Sequence, residues 1–225
     1  MFDIEPSPRP AQVISDPSEA QACLWALDPA LDQLIFLEAS GSGLRARKEV
    51  TRLHAPTAAG TLHWHSLVHA LRTILTLRAW LSKDNNNCPM IVSPDKSIAI
   101  LMMTGCKDTG KKHGQPKNQA DKGPVLDAAI QQNNQYDLFE LRALHELKRP
   151  PSGTQIWVFL YHVDEQQGSV TIRAELSRPS AFKGKKIIAW SDRIILETLS
   201  DGPVNVNIAD VPQAPIDVSV ERKTG

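Results

Sequence analysis

The hydrophobic pattern divides the chain into a helical first half and a strand-rich last third. Between Thr61 and Ser82, Trp64, Leu67, Val68, Leu71, Ile74, Leu75 and Leu81 recur at steps of three and four. That spacing puts them on one helix face, so the segment is predicted as the longest helix, with Thr61 as cap and Asp84 to Asn87 as stop. Ser18 to Leu27 predicts a short helix capped by Ser18. Leu31 to Leu37 is apolar but too short for its period to separate helix from strand. Ser40-Gly-Ser-Gly43 reads as a break, and Leu44 to His54 as a basic segment with weak strand alternation.

Ser97 to Met103 and Gln155 to Val163 are nearly continuous apolar runs of strand length, which predicts strands covered on both faces. Ser169 to Ser177 alternates. Val170, Ile172, Ala174 and Leu176 are expected inward, and Thr171, Arg173 and Glu175 outward on a wet face, with Glu175 paired to Arg173. Asp164 to Gly168 and Phe182 to Lys185 read as turns, and Lys186 to Leu196 as a further strand. Short helices are expected at Val125 to Gln132 and Asp137 to Leu147, the second stopped by Pro150 and Pro151.

The resulting expectation is an α+β fold. It has a mostly antiparallel sheet, with a C-terminal β-meander, and one long and two or three short helices packed on it. A parallel pairing of Ser97–Met103 with Gln155–Val163 is the alternative, because the segment between them is long enough to cross over. Residues 1–17, with Pro6, Pro8, Pro10 and Pro17, read as an extended arm. Residues 18–202 read as a single domain and 203–225 as an extended tail or edge strands.

Composition adds little beyond a globular class: of 225 residues, 41% are hydrophobic and 22% charged. No apolar run approaches the ~18 residues of a membrane span. The start is acidic and proline-bearing, unlike a secretory leader. Cys23, Cys88 and Cys106 are odd in number and far apart, which favours reduced thiols and a cytoplasmic location.

Charge changes the picture more. The formal net charge is zero, yet residues 1–40 hold one base against seven acids and residues 41–123 thirteen bases against five acids. Much of the excess falls in a twenty-residue polar stretch, Thr104 to Gly123, longer than most loops within a domain. Lys107, Lys111, Lys112 and Lys117, together with Arg45, Arg47, Lys48 and Arg52, form the expected polyanion-binding set. Trp64 and His113 are the candidate stacking groups.

Three other chemistries compete. Gly105-Cys-Lys-Asp-Thr-Gly110-Lys111 has the spacing of a phosphate-binding loop after a strand, and Asp164 follows a second strand where Mg²⁺ would be held with nucleotide. Lys112 stands where a Ser or Thr is expected, and Pro116 is close behind. His65 and His69 are four apart on the predicted helix, a spacing that suits Zn²⁺, with Cys106, His113 or His162 as further ligands. Asp164, Glu175 and Asp192 near strand ends form an acidic set without the lysine a nuclease would add.

The reading these features favour is an intracellular, non-catalytic binding protein or complex subunit that contacts nucleic acid or another polyanion through the basic loop. The alternatives are a nucleotide-binding or hydrolysing protein using Gly105, Gly110, Lys111 and Asp164, and a protein–protein scaffold without nucleic-acid contact.

Overall fold

The computed structural model describes residues 10–85, 88–123, 126–128, 130–134, 153–166 and 169–201. The elements follow as β1 (Gln12–Ile14), α1 (Pro17–Leu27), α2 (Gln33–Lys48), α3 (Ala58–Thr76), β2 (Leu81–Asn85), β3 (Cys88–Val92), β4 (Ile98–Thr104), β5 (Gln155–Gln166), β6 (Ser169–Lys183), β7 (Lys186–Ile195) and β8 (Leu199–Asp201). Residues 126–128 and 130–134 are also helical.

The strands form one eight-stranded sheet in the order β1-β7-β6-β5-β4-β3-β2, with β8 beside β6. The sheet is mixed, which corrects the expectation of a mostly antiparallel one: β4 pairs β5 in parallel, as does β1 with β7. The cause is connectivity. The chain from β4 to β5 has length for a crossover, and Leu126 and Ile130 of its helical residues pack on the sheet. The remaining pairings are antiparallel.

Each face of the sheet carries its own core. On one, Leu24, Phe36, Leu67 and Leu71 of α1–α3 pack on Ile100, Met102, Phe159, Tyr161 and Leu176. On the other, Leu101, Met103, Val158, Leu160 and Trp190 meet Leu126 and Ile130. β4 and β5 are therefore buried on both sides, as their unbroken apolar runs predict.

Several local expectations are revised. The first helix is capped by Asp16 rather than Ser18: its Oδ1 accepts from the N–H groups of Ser18 (2.9 Å) and Glu19 (3.0 Å). The long helix starts after Thr57 rather than Thr61 and ends at Thr76. Ala79 then turns at φ 66°, and Leu81 and Ser82 begin β2. Gln12–Ile14, expected in the arm, docks as an edge strand on β7. β5 continues through Asp164 to Gln166, where a turn was expected. β6 runs on to Lys183 through irregular pairing around Pro179, and the turn expected at Phe182–Lys185 joins it to β7. The helix expected at Asp137–Leu147 and the tail from residue 203 lie outside the described residues.

The largest revision is at Ser40–Gly43, where α2 continues without a break to Lys48. Glycine inside a helix costs ~1 kcal/mol relative to alanine, so packing must offset it. Gly43 lies against α3 so closely that a Cβ there would sit 2.8 Å from His63 Nε2 and 2.9 Å from its carbonyl oxygen. Gly43→Ala is expected to destabilise the fold by about 1–3 kcal/mol, the usual cost of overpacking, despite alanine's better helix propensity. A urea midpoint at or above that of the parent protein would show that α2 and α3 are not in close register.

Cys23, Cys88 and Cys106 are free thiols. Among the described residues no helix is long and apolar enough to cross a membrane.

Candidate functional site

The 105–122 loop is held onto the sheet by a buried ion pair. Glu175 of β6 is 0% exposed, and Arg193 of β7 grips it with Nη2 at 2.5 Å from Oε2 and Nε at 3.2 Å from Oε1. Both groups have further partners. Glu175 also accepts from the Gly110 N–H (3.0 Å) and the Ser177 hydroxyl (3.0 Å). Arg193 donates to the carbonyls of Gly114 (2.8 Å) and Lys111 (3.1 Å). A carboxylate and a guanidinium are tolerable inside a protein only when satisfied in this way.

Further side chains tie the loop to the same face. Trp190 Nε1 donates to the Pro116 carbonyl at 2.9 Å. Asn118 accepts from the Ile187 N–H at 2.7 Å and donates to the Lys185 carbonyl at 3.1 Å. Arg173 donates to the Lys107 carbonyl at 3.0 Å. The expected wet face of β6 is thus covered by the loop, and the expected Glu175–Arg173 pair is replaced: Glu175 takes Arg193, and Arg173 lies 3.7 Å from Asp164.

This anchoring turns the loop's lysines outward. Lys107, Lys111, Lys112 and Lys117 are exposed, and none has a carboxylate partner among the described residues. The other half of the expected set stands apart. Arg45, Arg47 and Lys48 belong to α2, which packs on the opposite face of the sheet, and Arg52 follows it. Arg47 is paired with Glu165 at 3.0 Å, and Lys48 is ion-paired with Asp201. Arg45 and Arg52 are exposed. Of the candidate stacking groups, Trp64 is half-buried and donates to the Met102 carbonyl (3.3 Å), while His113 is exposed beside Lys112.

The residues of the phosphate-loop reading are engaged elsewhere. The Gly105 N–H donates to the Tyr161 carbonyl at 2.7 Å, and the Gly110 N–H goes to Glu175. Gly110 has φ +70°, and a Cβ there would lie 2.8 Å from Arg173 Cβ, so packing and backbone conformation account for the glycine. A turn rather than a helix follows Lys111. Asp164 faces Arg173.

His65 and His69 lie on the exposed side of α3, beside a groove of about 570 Å³ shared with Arg72 and Thr76. Among the described residues no three His, Cys, Asp or Glu side chains are placed to hold a metal ion, so neither Cys106, His113 nor His162 completes a zinc set. The acidic set is dispersed, with Asp164, Glu175 and Asp192 each beside its own arginine.

A second feature was not anticipated. Where β4 ends beside β5, a crevice of about 240 Å³ is lined by Arg47, Gly60, His63, Thr104, Gln119, Tyr161, His162 and Val163. His63 is 1% exposed, and its ring stacks on Tyr161 at 4.9 Å and 22°. Neither ring nitrogen has a hydrogen-bond partner among the described residues. Burial, reinforced by the Arg47 charge, pushes its pKa down to about 4. The Tyr161 hydroxyl accepts from Thr104 Oγ1 at 3.2 Å. Burial raises its pKa against the opposing pull of that hydrogen bond and of Arg47. The signal for His63 was its phase: it is four and eight residues before Leu67 and Leu71, on the apolar stripe of α3.

No protein-family model matches the chain, and no curated protein or solved structure proved similar to it.

Proposed function

We propose that this protein is a non-catalytic binding protein that engages a polyanion, nucleic acid foremost, through the outer surface of its 105–122 loop. The observation that carries this reading is the set of four exposed lysines, Lys107, Lys111, Lys112 and Lys117, without carboxylate partners among the described residues, on a loop pinned by Glu175 and Arg193. Pinning matters because a pre-ordered cationic surface loses less conformational entropy on binding than a floppy one. The nearby acids offer little competition: Asp121 is occupied by Lys186 at 3.1 Å, and Asp108 is half-buried. The arginines of α2 lie on the other face and are left out of this surface. Binding of this kind sits with a cytoplasmic subunit of a larger assembly.

Lysine–phosphate contacts release counterions, so affinity for a labelled single strand or duplex should fall linearly on a log–log plot against salt. Reversing Lys111→Glu and Lys112→Glu together is expected to weaken binding about tenfold or more at low salt and to flatten that slope. Arg45→Glu with Arg52→Glu is the matched control and should leave the loop's contribution unchanged. Fluorescence anisotropy across a salt series reads both. Affinity insensitive to salt, or equal in the loop variant and the parent protein, would remove the proposal and leave a protein–protein scaffold.

A further inference from the structure

We propose that the crevice at the C-terminal end of β4 is a binding site for a small oxyanion, a free carboxylate or phosphate group, held by Arg47, His63 and Tyr161. It is distinct from the lysine surface of the loop and rests on different residues.

The lining is rich in donors and, among the described residues, holds no carboxylate. Arg47 uses Nε and Nη2 on Glu165, which leaves Nη1 without a partner among the described residues. The Tyr161 oxygen already accepts from Thr104, so its own proton is available to a ligand. His162 Nδ1 is within 3.0 Å of the Gly105 carbonyl, which holds that ring in place. Gly60 comes from the first turn of α3, a 19-residue helix whose Thr57 cap makes no side-chain hydrogen bond. The positive end of the helix dipole therefore reinforces the preference for negative charge.

His63 supplies the independent sign of a ligand. A buried polar side chain without a partner costs roughly 1–3 kcal/mol, so such groups are rare unless something else satisfies them. Both its nitrogens are in this condition among the described residues; Nε2 is pressed against Gly43, so Nδ1 is the nitrogen left for a ligand in the crevice that the residue lines. A volume of about 240 Å³ lies below the ~300 Å³ at which drug-sized sites begin, so the occupant is a small molecule and not a polymer. The location also fits, since open sheets place ligands beyond the carboxyl ends of their parallel strands.

Charge linkage gives the site a signature. The charged and titratable groups facing His63 are Arg47 of α2, with Glu165 of β5 beyond it, and Tyr161 and His162 of β5. A bound anion offsets the Arg47 field that disfavours imidazolium, so anion and proton should bind His63 cooperatively.

The test is histidine NMR on the full chain, titrated in separate arms with sodium phosphate and sodium acetate at about pH 5.5 and about pH 7, with chloride holding the ionic strength. The His63 signals, identified by their loss in His63→Gln, are expected to shift saturably. Their pH midpoint should rise from about 4, and the probe should bind more tightly at the lower pH. Saturation by phosphate alone names a phosphate ligand, by acetate alone a carboxylate ligand, and by both a general oxyanion site. Tyr161→Phe, which keeps the ring stack, and Arg47→Met should each weaken binding about tenfold. Lys111→Glu with Lys112→Glu should have no effect, so this site and the loop surface succeed or fail separately. A His63 spectrum unmoved by either anion overturns the proposal, as does a shift that survives both Tyr161→Phe and Arg47→Met.

Discussion

Arg193→Met is expected to destabilise the native state by about 3–5 kcal/mol, the range for removing one member of a buried ion pair. The loss arises less from the missing attraction than from the orphaned carboxylate. Glu175 is fully buried, and without Arg193 it keeps, among the described residues, the Gly110 N–H and the Ser177 hydroxyl. The carbonyls of Gly114 and Lys111 lose their donor in the same step. Stability and loop order should therefore fall together, read as a lower urea midpoint and faster hydrogen exchange at the Gly110 N–H. Replacing both partners, Glu175→Leu with Arg193→Met, removes the stranded charge and should recover much of the lost stability. It should not restore Gly110 protection, because the acceptor is gone. Equal midpoints for Arg193→Met and the parent protein would mean that water reaches Glu175 and that the loop is not sealed against the sheet.

The same pair shows what strand alternation can and cannot reveal. Period two separates Arg173, Glu175 and Ser177 from Ile172, Ala174 and Leu176, and the helices cover the second row as expected. It cannot say that a loop sixty residues upstream covers the first row, because that contact depends on distant carbonyls. The continuous apolar runs of β4 and β5 identify doubly covered strands but not their relative direction, so the parallel pair entered only as an alternative. At Ser40–Gly43 local propensity points to a break, and helix packing against His63 overrides it. For the sites, the exposed lysines are legible from charge alone, but their division between two faces is not. His65 and His69 draw attention through ligand-like spacing, whereas the informative histidine is His63, marked by its place on the apolar stripe.

His63 should also make folding pH-dependent well above the carboxylate range. Its native pKa is pushed down to about 4, against about 6.5 for a histidine in the unfolded chain. Between these values the unfolded state binds more protons, so stability rises with pH. The contribution is complete above about pH 6.5 and is lost progressively as pH falls toward about 4, amounting to about 3 kcal/mol over the whole window. Asp95 and Glu165, whose carboxyls are held low by Ser93 and Arg47 respectively, lose stability in the same direction but at lower pH. His63→Phe preserves a ring against Tyr161 and has no proton to gain, so its urea-derived stability should be nearly flat from about pH 5 to about pH 7. Arg47→Met removes one of the two causes of the depression and should shorten the window from its acid end. A slope in His63→Phe equal to that of the parent protein would assign the proton uptake to another group. Phosphate or acetate, if it occupies the crevice, should flatten the parent slope as well, since an anion beside His63 raises the pH at which the native ring accepts its proton.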